Sequence, residues 1–483
     1  MEDILLELET KPQEAIKKLT VSEKKKEDID NYIKEYKEGD RKIRDSQVGN
    51  IQKDKTVGEG EKAKLVKAIR SIVPFQKKIV NTACAFEVGK PVTLLTDQTN
   101  ELFETVINLW DKIRIDDKIQ KAKVIQKSQT EVAFEFYIKE AQESQNIFSK
   151  IKNAITGKTA KKEIKVKLLE NENGNMSPYF DEQGDMTAFT WTFQTKVGDK
   201  TVNNTWVWTK ELLYKCSDEA GSFVFVDKLP HGFGKIPIVY IEQDTPEWDD
   251  VKTLIDRYET ALSKLGASND YSGYPLLKLY GKIENMPDRN DDGKTLTFPM
   301  KEMDNETGKT IHGDAEFLTS TQASENVKLE METLESLIYA LSSTPNLSFD
   351  NLKGSVGNIS GIALKLLFLD SMIKASMNEG DNRTMIQRII NVLISGITKT
   401  VNTSFDSKVK DTFIKIKFNS ILPDDLKEAV DIISAAKGAG IISLDTAVNQ
   451  LDIAEDSETE IAAIKKEATE VVKKPIEPVK KEE

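Results

Sequence analysis

A chain of 483 residues, 39% of them hydrophobic, is long enough for two to four packed units. Its 31% charged residues and net charge of −12 exclude a monomer that grips nucleic acid by broad phosphate neutralisation. Two distant cysteines, Cys84 and Cys216, give no disulfide framework, and no apolar stretch approaches membrane-spanning length; Met1-Glu2-Asp3-Ile4 does not begin a secretory leader, so neither secretion nor membrane insertion is expected.

Residues 22 to 62, dense in Lys, Glu and Asp and containing Gly58-Glu59-Gly60, predict a solvated helix followed by a loop. From 63 to 95 a helical pattern gives way to an extended one, and the helix should stop near Gly89 because Pro91 disfavours helical geometry at Lys90. The middle of the chain reads as antiparallel sheet. Phe189, Trp191 and Phe193 alternate with Ala188, Thr190 and Thr192, and segments 131–139, 163–169, 203–209, 223–227 and 236–242 are rich in β-branched and aromatic residues. Trp191, Trp206, Trp208 and Trp248 are assigned to packing rather than to stacking on bases.

Thr245-Pro246-Glu247 supplies an N-cap, a first-turn proline and an acid, and Val251, Leu254, Ile255, Tyr258, Leu262 and Leu265 follow at helical spacing, so an amphipathic helix is expected to about Leu265. A second spans roughly 322 to 342, with Val327, Met331, Leu334, Ile338 and Leu341 on one stripe and Pro345 barring its continuation. Between them an insert carries short extended pieces, Tyr274 to Leu279 (including Leu276), Leu296 to Met300 (including Phe298) and Glu316 to Leu318 (including Phe317), which suggests a small α/β module on two helical stalks.

Asn346 to Asn358 is too rich in Gly, Ser and Asn for a regular element. Ser360 then caps a long helical stretch, broken near Gly380-Asp381, with Met385, Ile386, Ile389, Ile390, Leu393, Ile394 and Ile397 on an apolar stripe. Three short helices follow, marked by Gly438, Gly440, Ser443 and the capping box of Ser457 with Glu460, and residues 466–483, mostly Lys, Glu and Pro, are expected to be disordered.

Chemistry is sparse. His231, His312 and the two cysteines stand at no ligand spacing, so neither a metal nor a cofactor is expected. Gly-Lys-Thr occurs at Gly157, Gly293 and Gly308, but a phosphate-cradling loop needs a glycine five residues earlier, where Lys152, Asp288 and Met303 stand. The run from Asp288 to Gly293 begins like a calcium loop, yet Pro299 takes the place of its final carboxylate. Carboxylate pairs assembled in space leave no spacing signal, so a metal-dependent nuclease stays open as an alternative.

The order of segments carries more. Phe86-Glu87-Val88-Gly89-Lys90-Pro91-Val92 resembles the F-x-x-G-K-P-V turn of siphovirus-type portal proteins of tailed bacteriophages. His231 to Val239 resembles their G-x-G-x-I-P-V strand; Ser263, Asn269 and Asp270 are similar to the S-x-x-N-D that ends the first stem helix; and Thr344-Pro345 with Ser360-Gly361-Ile362-Ala363-Leu364-Lys365 resembles the motifs around the tunnel loop.

The resemblance, over about residues 65 to 465, implies a non-enzymatic α+β portal fold. Its parts would be a charged N-terminal segment (1–62), a wing of helices and antiparallel sheet (63–244), stem helices at 245–270 and 319–343, and a small α/β clip (271–318) between them. A tunnel loop (344–359), a long helix returning to the wing (360–420), a helical crown (421–465) and the tail (466–483) would follow.

It implies a homo-oligomeric ring of about twelve subunits at one capsid vertex, closed by a heterologous interface. Double-stranded DNA would pass without sequence reading, with Asn351, Lys353, Gly354, Ser355, Val356, Gly357 and Asn358 facing it. The clip, with Tyr274, Leu276, Leu279, Phe298 and Phe317, would dock the large terminase subunit and later a head–tail adaptor; the major capsid and scaffolding proteins would be further partners, met in the host cytoplasm during assembly. Another connector or scaffold ring component is the rival reading of the same features.

Overall fold

The computed structural model describes residues 2–20, 23–37, 41–45, 53–57, 60, 63–97, 99–140, 162–198, 200–218, 221–272, 276–280, 302–303, 310–311, 314–318, 324–346, 366–419, 421, 426–451 and 457–472. The elements, in chain order, are helices α1 (Glu2–Thr10), α2 (Pro12–Leu19) and α3 (Glu23–Tyr36), strands β1 (Lys55–Val57) and β2 (Lys64–Val66), helix α4 (Phe75–Val88), strand β3 (Thr93–Thr96), and helices α5 (Glu101–Lys112) and α6 (Ile115–Gln129). Then come β4 (Glu131–Glu140), β5 (Lys162–Leu169), β6 (Gly174–Phe180), β7 (Met186–Val197), β8 (Lys200–Trp208), β9 (Leu212–Asp218), β10 (Val224–Pro230) and β11 (Ile238–Glu242).

Helix α7 (Lys252–Ser272), strands β12 (Leu276–Tyr280), β13 (Glu302–Met303), β14 (Thr310–Ile311) and β15 (Asp314–Leu318), and helix α8 (Ser324–Leu341) follow. The chain ends with α9 (Leu369–Met377), α10 (Glu379–Gly396), strand β16 (Ile414–Lys417), α11 (Leu426–Gly438), α12 (Leu444–Leu451) and α13 (Ser457–Val472). This is an α+β architecture in which every strand pair is antiparallel.

Strands β6 to β10 form a five-stranded meander, and β11-β4-β5 a three-stranded sheet. The two pack face to face through Phe189, Trp191 and Trp208 on one and Ala133, Leu169 and Tyr240 on the other. The outer face of the meander is covered by α1 and α2, whose Leu8, Ala15, Ile16 and Leu19 meet Ala188, Val207, Tyr214 and Cys216. The far face of the three-stranded sheet meets α5, α6 and α10 in the largest core. The first six residues of β4 are therefore buried on both faces, and the two acids among them are paired: Glu135 with Lys167 at 2.8 Å, Glu131 with Lys25 at 2.9 Å and with the Tyr240 hydroxyl at 2.6 Å.

The turn His231-Gly232-Phe233-Gly234 places Phe233 in that core. Gly232 (φ +79°) and Gly234 (φ +66°) take the left-handed region that lets the chain double back. Phe233 then lies under Gly396 of α10, where an added Cβ would come within 2.6 Å of the ring and 2.8 Å of Ile164, and Ser395 Oγ donates to the Phe233 carbonyl at 2.6 Å.

Several expectations need correction. The helix expected from Pro246 begins only at Lys252, after a 3-10 turn at Asp249–Val251, because Glu247 and Trp248 turn inward to buried partners instead of forming a first helical turn. It also continues past Leu265 to Ser272. The break expected near Gly380-Asp381 lies at Asn378, whose side chain turns to Glu87 at 2.7 Å.

Among its described residues the insert between α7 and α8 contains strands only, β12 with β15 and β13 with β14, so the α part of the expected α/β module lies outside them. Helix α13 runs to Val472, seven residues beyond 465, with no proline to stop it before Pro475. The charged N-terminal segment is not wholly solvated, since Glu35 and Arg41 are buried.

Replacing Gly396 with Val should overpack the Phe233 seat and lower the unfolding free energy by about 1–3 kcal/mol, read from urea unfolding followed by tryptophan fluorescence. An unchanged midpoint would show that this contact does not hold α10 to the sheet.

Candidate functional site

Helices α7 and α8 lie side by side, joined by Arg257 Nε donating to Glu330 at 2.7 Å. Their roots pack on α4: Val251, Ile255 and Ile338 are buried with Phe75, Ile79, Val80, Cys84 and Trp248, and Phe75 meets Tyr258 edge-on at 5.1 Å. Of the sequence-predicted stripe residues, Leu334 is also buried, while Leu254, Tyr258, Leu262, Val327 and Met331 are half-buried.

Leu341 does not join them. It is 59% exposed and continues an outward line with Leu329 (63%) and Leu337. A second outward apolar row, Leu366, Leu369, Ile373 and Met377, runs along and just ahead of α9.

Asn351, Lys353, Gly354, Ser355, Val356, Gly357 and Asn358 lie outside the described residues, as do Tyr274 and Phe298. Leu276 stands opposite Leu318, Leu279 opposite Ala315, and Phe317 opposite Leu277 in the β12–β15 ladder.

The inner side of α7 is polar. Glu259 is fully buried, accepts from the Val73 amide at 3.0 Å and pairs with the buried Arg41 at 3.5 Å. Burial pushes its carboxyl above the usual range, against the pull of the Val73 amide and Arg41. Ser263 Oγ donates to the Glu259 carbonyl and accepts from the Ser71 amide, so residues 71–73 strap the helix in place. Nearer its root, Glu35 accepts from Trp248 Nε1 at 3.1 Å and Lys252 Nζ at 2.6 Å.

The densest polar constellation joins segments that sequence spacing alone could not connect. Glu87 near the end of α4 pairs with Lys123 (3.1 Å) and Lys127 (2.8 Å) of α6, and accepts from Asn378 (2.7 Å) and Asn382 (3.2 Å). Lys127 bridges on to Glu247 at 2.8 Å, just ahead of α7, and Glu247 meets Lys374 of α9 at 2.7 Å. Lys374 also donates to the Ser342 carbonyl at the end of α8, and Ser371 Oγ to the Ser343 carbonyl.

Burial acts to raise the Glu87 pKa, but the two ammonium groups and the hydrogen bonds more than offset it and hold the carboxyl at about 2. Lys127 is likewise raised despite burial, through Glu87 and Glu247. Cys84, beside this cluster, has its thiol pushed up to about 12 by desolvation, which leaves it without thiolate character. The arrangement holds α4, α6, α9 and the approach to α7 in register.

Among the described residues no group of three or more His, Cys, Asp and Glu side chains is placed to hold a metal ion, and no helix is long and apolar enough to cross a membrane. A family model described as "Phage portal protein, SPP1 Gp6-like" matches residues 18–474. No curated protein matches the chain. Among solved structures, a chain in "Neck of native GTA particle computed with C12 symmetry" aligns at 10% identity and TM-score 0.39, over 78% of this chain and 89% of that one.

Two measurements test the buried cluster. Replacing Lys127 with Met removes the cation shared by Glu87 and Glu247, leaves each with one ammonium partner, and should cost about 1.5–3 kcal/mol in urea unfolding. The folded Glu87 pKa of about 2 lies below its ordinary value of 4.5, so its stabilising contribution is present above pH 4.5 and is lost as pH falls toward 2. Acid titration of stability should therefore be flatter in Glu87→Gln over that window, and an identical slope would remove Glu87 from the account.

Proposed function

Because the chain belongs to the SPP1 Gp6-like family of phage portal proteins, it is a subunit of the portal ring at a capsid vertex through which DNA is packaged, and we propose how its parts share that work. Helices α7 and α8 serve as the stem, and the insert between them as the clip. The sheets with α4, α5, α6 and α10 serve as the wing, and α11 to α13 as the crown.

One observation supports this division above the others. The outer face of α8 carries Leu329, Leu337 and Leu341 together with exposed Ser336 and Ala340, a row of apolar and small side chains that its own subunit leaves uncovered. A helix amphipathic on its inner side and apolar again on its outer side requires a second neighbour. In a ring closed by rotation that neighbour is another copy of the chain, meeting the row with a different patch. Helix α9, whose outward Ile373 (50% exposed) and Met377 (79%) are equally uncovered, is the patch of matching character.

The segment from Asn346 to Asn358 serves as the part that meets the duplex, with Lys353 the residue for a phosphate contact. Net acidity suits the task, since each phosphate neutralised by the ring would slow a sliding duplex. The clip docks the large terminase subunit during packaging and the head–tail adaptor afterwards. Major capsid and scaffolding proteins meet the wing during assembly in the host cytoplasm. The family is structural, and the energy for translocation comes from the docked motor.

Negative-stain imaging of the purified chain should show rings, of about twelve subunits, with an opening wide enough for a duplex. Particles that stay single at high concentration would overturn the assignment. Leu337→Glu or Ile373→Glu should shift sedimentation from ring toward monomer while near-UV circular dichroism is unchanged; rings that persist in both would remove these faces from the interface. Deleting residues 350–358 should leave rings intact and impair genome packaging, and full-length packaging at the normal rate would refute the DNA-facing role.

A further inference from the structure

Helix α9 is held to its subunit in an unusual way. Ser371 is its only fully buried side chain, and Leu369, Ile373 and Met377 point outward. Beneath it lies a cavity of about 200 Å³, lined by Phe86 and Glu87 of α4, Met372 and Ala375 of α9, and Phe418 and Asn419 after β16. An apolar helix beside an open pocket, packed on α4 in part through Phe368 on Phe86 with ring centres 5.7 Å apart, has limited packing to fix its position. A set of polar contacts does so instead.

Those contacts converge on the two roots of the α7–α8 pair. Lys374 Nζ lies 2.7 Å from Glu247, ahead of α7, and donates to the Ser342 carbonyl at 3.1 Å, just past α8. Ser371 Oγ donates to the Ser343 carbonyl at 2.6 Å. Ser343 takes the left-handed conformation (φ +55°), a costly one for a residue with a Cβ. Here it ends α8 and leaves the Ser342 and Ser343 carbonyls as acceptors for α9. A cation at those carbonyls also opposes the negative end of the helix dipole. Lys374 makes polar contacts with both roots, and its partner Glu247 is fixed from the other side by the buried Lys127.

We propose that Lys374 is a latch that ties α9 to both stem roots, so that a change in the angle between α7 and α8 is passed to α9 and, through its outward apolar face, to the adjacent subunit. This rests on the portal reading, with α9 seated on a second copy of the chain. Lys374 acts as a positioning residue. It touches no substrate, and its effect runs through Glu247 and the Ser342 carbonyl.

Hydrogen exchange on assembled full-length rings, followed by mass spectrometry, tests it directly. In Lys374→Met, peptides covering α9 should exchange roughly tenfold faster, while peptides of α4, α6 and the second half of α10 keep their wild-type rates. Lys374→Arg should restore protection, and Glu247→Gln combined with Lys374→Met should add little to Lys374→Met alone. Genome packaging should slow in Lys374→Met and recover in the Arg variant.

Unchanged α9 exchange in Lys374→Met would overturn the latch. Faster exchange with packaging at the normal rate would overturn the transmission while leaving the portal reading intact. Failure of the portal reading looks different, because wild-type chains would then form no rings at all.

Discussion

Charges removed from water must find opposite charges, and in this chain that requirement decides where the major pieces meet. Glu87, Lys123, Lys127 and Glu247 are almost fully buried and balance as two anions and two cations, while Lys374 closes the series where solvent begins. They come from the end of α4, two turns of α6, the approach to α7, and α9. None of these segments can shift by much without stranding a charge, and stranding one costs several kcal/mol. An apolar core of the same volume could be as stable, yet it would tolerate sliding; a set of fixed ion pairs does not.

The same rule explains why the charged N-terminal segment is more than a solvated face. Glu35 takes hydrogen bonds from Trp248 and Lys252, and Tyr36 stacks on Trp248 with ring centres 5.7 Å apart. Arg41 reaches the buried Glu259 halfway along α7. Helix α7 is thus gripped along its inner side by polar groups from residues 35–73, and its apolar side is given to α4 and α8.

What could be read from the sequence follows period and chemistry closely. Alternation marked β7, where Phe189 and Trp191 face one sheet and Ala188 the α1–α2 pair, and β-branched runs marked β4, β5 and β11. Helix α4 ends at Val88, where Gly89 and Pro91 predicted its end. Helix α5, capped by Asn100 with Leu102, Val106 and Trp110 on one face, was legible and went unread, whereas α6 escaped because it buries Lys123, Gln126, Lys127 and Gln129, which a hydrophobic template counts as outward positions. The late start of α7 escaped for the same reason. Thr245-Pro246-Glu247 carries every mark of a helix start, but Glu247 has a stronger claim on it from Lys127. Stripe residues such as Ile255 and Ile338 were legible from spacing, whereas the Glu87 cluster, assembled from positions up to 295 residues apart, has no local signature.

The outward apolar faces of α8 and α9 complete the physical picture of a chain built for a repeating neighbour. Among the described residues α8 turns its inner side to α7 and α4, and α9 is attached largely by polar groups beside an open pocket, while the other side of each helix stays exposed. Two different faces left open on one molecule cannot satisfy each other in an isologous pair unless each appears twice, but they meet once per contact in a head-to-tail ring. Folding of the subunit and closure of the ring are then linked by mass action. If the α8 and α9 faces meet across the ring contact as proposed, their stability rises with assembly, and the buried charge cluster behind them keeps both faces in place before the neighbour arrives.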